Sequence, residues 1–263
     1  MKNDIVKSNA LIEACYAPRS HWGMRVLLAC LMQVKSREAL TLEQIYTVTA
    51  DNLADLAGIK KGFNYRELKS AANELRSLYV IVYEKPNAEI GAPDVTHINV
   101  TSSVRYYDKE GKISLRFGPE IIPYISSLRK RFTQYQAKHV MPMKSSYGVQ
   151  IYELCLQWLG SQREFSINAF KRLLGLEDKY HRIEVLKRRV IKPALKDINT
   201  YSDIHVEFSQ RKTGRRVSHL KFITTRPGTN KTAPKITQKH IEKNALPGET
   251  WEAARRRLGD KTP

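Results

Sequence analysis

Cysteine, acidic charge and long apolar runs are all scarce in this 263-residue chain, and each scarcity removes a class of explanation. Its three cysteines, Cys15, Cys30 and Cys155, are odd in number and widely spaced, which suggests neither a disulfide framework nor a Cys-x-x-Cys metal knuckle. Buried, reduced thiols are expected. The longest apolar run, Val26 to Met32, is far too short to span a bilayer, and the opening MKNDIVKSN lacks an apolar signal core, so a cytoplasmic protein is expected. Thirteen tyrosines raise the question of a DNA-nicking enzyme, but the seven histidines contain no His-x-His pair to hold the metal that such enzymes need. A Gly-x-x-x-x-Gly-Lys-Ser/Thr loop is missing too. The expectation is a protein that is not an enzyme, with no cofactor, no metal site and no membrane partner.

Asp and Glu number 26 against 45 Lys and Arg, a net charge of +19, and the sequence pI is near 9.8. Such an excess favours a nucleic acid or anionic surface as partner. It is uneven: residues 1–137, 138–225 and 226–263 carry nets of +5, +9 and +5, so the middle segment is the densest.

Within that segment, Tyr180 to Asn199 reads YHRIEVLKRRVIKPALKDIN. At the ~100° per residue of an α-helix, Ile183, Leu186, Val190, Ile191, Ala194 and Ile198 share one side. Arg182, Arg188, Arg189, Lys192 and Lys196 gather opposite them, with Val185 in their midst. Cations and a small apolar group on one helix face suit the major groove, where Arg bridges the two acceptors of guanine and an aliphatic carbon touches a thymine methyl. A solvated surface would look similar, so the flanking pattern matters. Ser166 to Leu174 reads as a shorter helix stopped at Gly175. Ile204 to Gln210 and Val217 to Thr224 alternate apolar and polar residues, as strands do. Between them lies Arg211-Lys212-Thr213-Gly214-Arg215-Arg216, a glycine turn with four cations. Helix, turn, helix and basic hairpin is the order of a winged helix, whose second helix enters the groove.

Residues 1–137 show the same plan. Met24, Leu27, Leu28 and Leu31 recur at helical spacing. Thr49 caps a helix through Leu53, Leu56 and Ala57 that stops at Gly58. A longer helix is predicted from Tyr65 to Leu78, then strands at Val80 to Glu84, Thr96 to Val104 and Ile113 to Phe117. Its exposed side offers Arg66 and Lys69, with Lys60 and Lys61 in the preceding turn. Interspersed glutamates make phosphate contact a better expectation there than base reading, with scaffolding as the alternative. The fold class expected is α+β: two tandem winged-helix domains, 1–137 and 138–225, and a flexible basic C-terminal tail, 226–263.

The segments VKSNALIEACY (Val6 to Tyr16), PMKSSYGVQIYELCLQW (Pro142 to Trp158), FSINAFKRLLGLEDKY, KRRVIKPALKDIN and IHVEFSQRKTGRRVSHLKF occur in an order that resembles the iteron-binding plasmid replication initiators of the Rep_3 family. The resemblance implies major-groove reading by the second domain, with Arg182, Arg188 and Arg189 at the reading positions. It implies that the first domain contacts backbone and forms a homodimer that represses the initiator's own promoter. Monomers would bind direct repeats at the origin and start strand opening, with a DnaA-type host initiator and the replicative helicase as partners. The alternative is a dimeric winged-helix transcriptional repressor with no replication role.

Three details are also legible. Pro193 interrupts the cationic helix and predicts a kink against the core. Tyr147, Tyr152 and Trp158 fall on a helix with Ile151, Leu154 and Leu156, where core packing is expected. Glu249 to Leu258, with Arg255, Arg256 and Arg257, reads as a short helix within a solvated tail.

Overall fold

The computed structural model describes residues 3–15, 20–59, 65–83 and 95–227. The predicted tail helix and the Lys60 and Lys61 turn lie outside these residues. Residues 1–226 make one compact unit.

In its first half, β1 (Asp4–Ser8), α1 (Asn9–Ile12), α2 (His21–Leu31), β2 (Tyr46–Thr49), α3 (Ala50–Ala57) and α4 (Tyr65–Arg76) precede a run of strands. Those are β3 (Tyr79–Tyr83), β4 (Val95–Asn99), β5 (Thr101–Tyr107) and β6 (Lys112–Phe117), followed by α5 (Ile122–Ile125) and β7 (Phe132–Gln136). Local chemistry sets the helix ends. Thr49 accepts from the Asn52 N–H at the start of α3, and Gly58, at φ 67°, closes it in the left-handed conformation open to glycine. Ser20 caps α2 through the Gly23 N–H and also donates to Glu74 Oε2 at 2.6 Å, which ties α2 to α4. Leu68, Ala71, Ala72 and Leu75 of α4 are buried against α2, so α3 and α4 form a helix-turn-helix on one core.

Two boundaries differ from expectation. The predicted strand Thr96 to Val104 is two strands divided at Val100, whose N–H donates to Leu78 O, because β4 pairs with β3 and β5 pairs with β6. Helix α4 ends at Arg76, two residues before the buried Leu78. Pairing of β1 with β7, Asp4 opposite Gln136, and of β2 with β6 was not anticipated, since strands this short carry little period of their own.

The second half runs α6 (Gly148–Leu156), β8 (Gln162–Ser166), α7 (Ile167–Leu173), α8 (Ile183–Leu186), a π turn (Lys187–Ile191), α9 (Lys192–Tyr201), β9 (His205–Thr213) and β10 (Arg216–Thr225). The last two strands form a sheet with β8, in the order β8-β10-β9. Phe165, Phe170, Phe208 and Phe222 meet between this sheet and the helices, with Phe170 stacked on Phe222 at 5.4 Å. Each half is thus a helix-turn-helix with antiparallel strands, in three small sheets in the first half and one in the second, the plan of a winged helix.

Buried polar contacts tie the halves together. Lys7 Nζ of β1 lies 2.7 Å from Glu153 Oε1 of α6, both side chains inaccessible, and the Tyr135 hydroxyl donates to the same carboxylate. Arg25 is buried in α2, where its guanidinium donates to the carbonyls of Met141 (2.8 Å) and Met143 (3.3 Å) and stacks on Trp22. Burial lowers its pKa. Arg163 pairs with Glu13 at 2.9 Å between the rings of Trp158 and Phe165. Trp158 is therefore a correction to the sequence reading: it is 47% exposed, one side of its ring taken by a cation instead of the core. Tyr152 is fully buried as expected, and Tyr147 is half-buried.

Candidate nucleic-acid interface

The segments α8, π turn and α9 make one continuous helix, Ile183–Tyr201, whose inner residues Leu186, Val190, Ile191, Ala194 and Ile198 are wholly inaccessible. It starts three residues later than predicted because Tyr180 has φ 52°, which a right-handed helix does not accept; Arg182 is its N-cap. Pro193 is exposed, on the side of the helix away from the core. Proline has no N–H for the Arg189 carbonyl, and the helix widens one step earlier, the Lys192 N–H reaching Lys187 O.

Two carboxylates hold this helix in place. Asp197 Oδ2 accepts from the Lys144 and Ser145 N–H groups at 2.8 and 2.7 Å, and Asp203 Oδ1 accepts from the Tyr152 hydroxyl at 2.9 Å. Burial and the nearby Asp203 raise the Tyr152 pKa, so that hydroxyl keeps its proton and remains a donor. A helix fixed in this way presents its outer side in one orientation.

On that side, Arg182, Arg188, Arg189, Lys192 and Lys196 are exposed and Val185 is half-buried. Arg182, Val185, Arg188 and Lys192 come together along a groove of about 620 Å³ between the helix and β9, closed on the strand side by Phe208, Ser209 and Gln210. Arg189 and Lys196 stand outside it. On the helix side, two residues of the groove were overlooked in the sequence: Glu184, and Lys187, whose Nζ donates to Gln210 Oε1 at 3.2 Å. Lys187 heads the basic triplet, but a wheel of constant angle misplaces residues across a π turn.

The hairpin is tighter than expected. Thr213 pairs with Arg216, leaving Gly214 and Arg215 as a two-residue turn, with Gly214 at φ 61° in the position where a type II′ turn requires glycine. Arg211 and Lys212 belong to β9. Arg211 is only partly available, since its Nε donates to Glu164 Oε1 across the sheet. That hydrogen bond lowers the Glu164 pKa. Lys212, Arg215 and Arg216 are exposed. In the first half, Arg66 and Lys69 are exposed on α4. Among the described residues no group of His, Cys, Asp and Glu could hold a metal ion, and no helix is long and apolar enough to cross a membrane.

A cationic helix anchored on a core, a groove behind it and a basic hairpin beside it define a winged-helix protein of the DNA-binding class, with the plan present twice. Residues 4–156 match the family described as Initiator Replication protein, WH1, and residues 166–224 match Initiator Rep protein, WH2; the chain belongs to this family of replication initiators. It is 29% identical over 228 residues to a "Replication initiation protein" of Escherichia coli, covering 83% of this chain and 68% of that one. The "PI protein" of Escherichia coli is 28% identical over 228 residues, covering 75% of each. The crystal structure of Pi initiator protein in complex with iteron DNA is similar with a TM-score of 0.69 at 25% identity, covering 84% of this chain and 96% of that chain.

Proposed function

We propose that this protein initiates plasmid replication by binding direct repeats, the iterons, at the origin as a monomer. The observation that carries the reading is the groove-lining set Arg182, Val185, Arg188 and Lys192 on a rigidly held helix beside a basic hairpin, in a chain similar to an initiator crystallised on iteron DNA. Cations neutralise phosphates and release counterions, while Arg188 and its neighbours read base edges. Residues 138–225 supply sequence recognition. Residues 1–137 contact the DNA backbone through Arg66 and Lys69 and form the free-state homodimer that represses the promoter. Occupied repeats strain an adjacent AT-rich stretch, and a DnaA-type host initiator and the replicative helicase assemble there. The basic residues of 226–263 add sequence-independent affinity. The protein acts in the cytoplasm by binding alone, without cofactor or catalysis.

Selection of bound fragments from the host plasmid, followed by footprinting at moderate salt, tests this. Several protected direct repeats beside an AT-rich stretch are expected. A single inverted repeat over a promoter would establish the dimeric repressor instead. A nick, or a covalent tyrosyl-DNA adduct, in supercoiled origin DNA incubated with divalent metal would overturn the non-enzymatic mechanism.

A further inference from the structure

One carboxylate, Glu184, stands among the cations that line the groove, exposed in the first turn of the recognition helix. Lys187 at i+3 and Arg188 at i+4 are the partners that a helical glutamate ordinarily takes. Lys187 is instead drawn to Gln210 Oε1, and among the described residues no ion pair joins Glu184 to any cation. Among the described residues the carboxylate therefore lines the groove without a protein partner.

A negative charge on a surface that approaches a polyanion costs affinity for every DNA sequence, unless a base edge offers it a donor. In the major groove cytosine presents its N4 amino group. Adenine sets its N6 donor beside the N7 acceptor, and guanine and thymine present acceptors, which repel a carboxylate. We propose that Glu184 determines specificity by accepting a hydrogen bond from cytosine N4 in the major groove, and that its charge disfavours sites lacking a C·G pair there. Specificity then comes from penalising the wrong sequences as much as from rewarding the right one. The inference rests on the reading of Ile183–Tyr201 as the groove-entering helix. The competing role for an acid in a first turn is to complement the helix dipole, which affects stability and leaves sequence choice alone.

Full-length wild type, Glu184→Ala, Glu184→Gln and Arg188→Ala are to be compared by selection from a random duplex library, by competition titration and by thermal melting. The wild type is expected to enrich a motif containing a fixed C·G pair. Glu184→Ala should lose roughly tenfold or more of its preference at that pair alone and bind random DNA several-fold more tightly. Glu184→Gln, nearly isosteric and still folded should the alanine variant not be, is expected to shift that position toward A·T, the pair glutamine reads. If both variants keep the wild-type motif at every position while Arg188→Ala degrades it, the role of Glu184 is overturned and the recognition helix stands. A wild type that enriches no motif overturns both.

Discussion

Arg188 and Arg189 are adjacent, exposed and differently placed, the first within the groove and the second outside it. If Arg188 reads a guanine edge, Arg188→Ala should cost about 1 to 3 kcal/mol on the specific site and far less on random duplex, measured by fluorescence titration. Lys212→Ala in the hairpin should weaken both DNAs alike and flatten the salt dependence, since a phosphate contact carries no sequence information. Equal losses for Arg188→Ala on the two DNAs would remove it from base reading. Lys7 presents a different kind of residue-scale problem. Its ammonium is 1% exposed against a Glu153 carboxylate that is fully buried. Deleting one partner of such a pair strands the other charge away from water, so Lys7→Met is expected to lower stability by about 3 to 5 kcal/mol in urea titrations. A loss under 1 kcal/mol would mean that water reaches Glu153 when its partner is gone.

Among the elements, the recognition helix was legible from its apolar spacing, and the two ends of α3 from Thr49 and Gly58. The π turn was not. It arises because Pro193 removes a donor while Leu186, Val190, Ala194 and Ile198 must all face one core. Pro193→Ala restores that donor and makes the α register available. The variant should melt at the same temperature or higher but bind the specific site more weakly, because narrowing the turn rotates Arg182, Val185 and Arg188 relative to the anchored end at Asp197 and Asp203. Unchanged binding would show that core packing, not proline, sets the turn. The hairpin was similarly half-read: glycine marked the turn, but the cross-sheet bond that engages Arg211 depends on Glu164, 47 residues earlier in the chain.

Across the whole molecule, all three cysteines are buried and free. Burial raises the Cys15 thiol from 9.0 to about 11 and Cys155 to about 12, and pushes Cys30 up as well. A pKa higher in the folded than in the unfolded state adds stability that is complete below the unfolded value and is lost as pH climbs through the folded one. Stability is therefore expected to hold up to about pH 8.5 and to fall from there to about pH 12, as the unfolded thiols ionise first. Native protein at pH 8 should leave a thiol-reactive disulfide reagent unconsumed until urea is added; rapid reaction of one thiol without urea would place that cysteine at the surface.

The sequence by itself determined the longer helices, the hairpin, the repeated plan and the cationic outer face, because each follows from spacings of a few residues and from clustered charge that a core does not accept without partners. Only the tertiary structure decided what joins across long separations. The pairing of β1 with β7, the seat of Lys7 on Glu153, the exposure of Trp158 under Arg163 and the groove that brings Glu184 and Lys187 beside β9 all depend on contacts between distant segments. No local period encodes such contacts: they form because the apolar faces of both halves share one core, and burying it sets which polar groups meet.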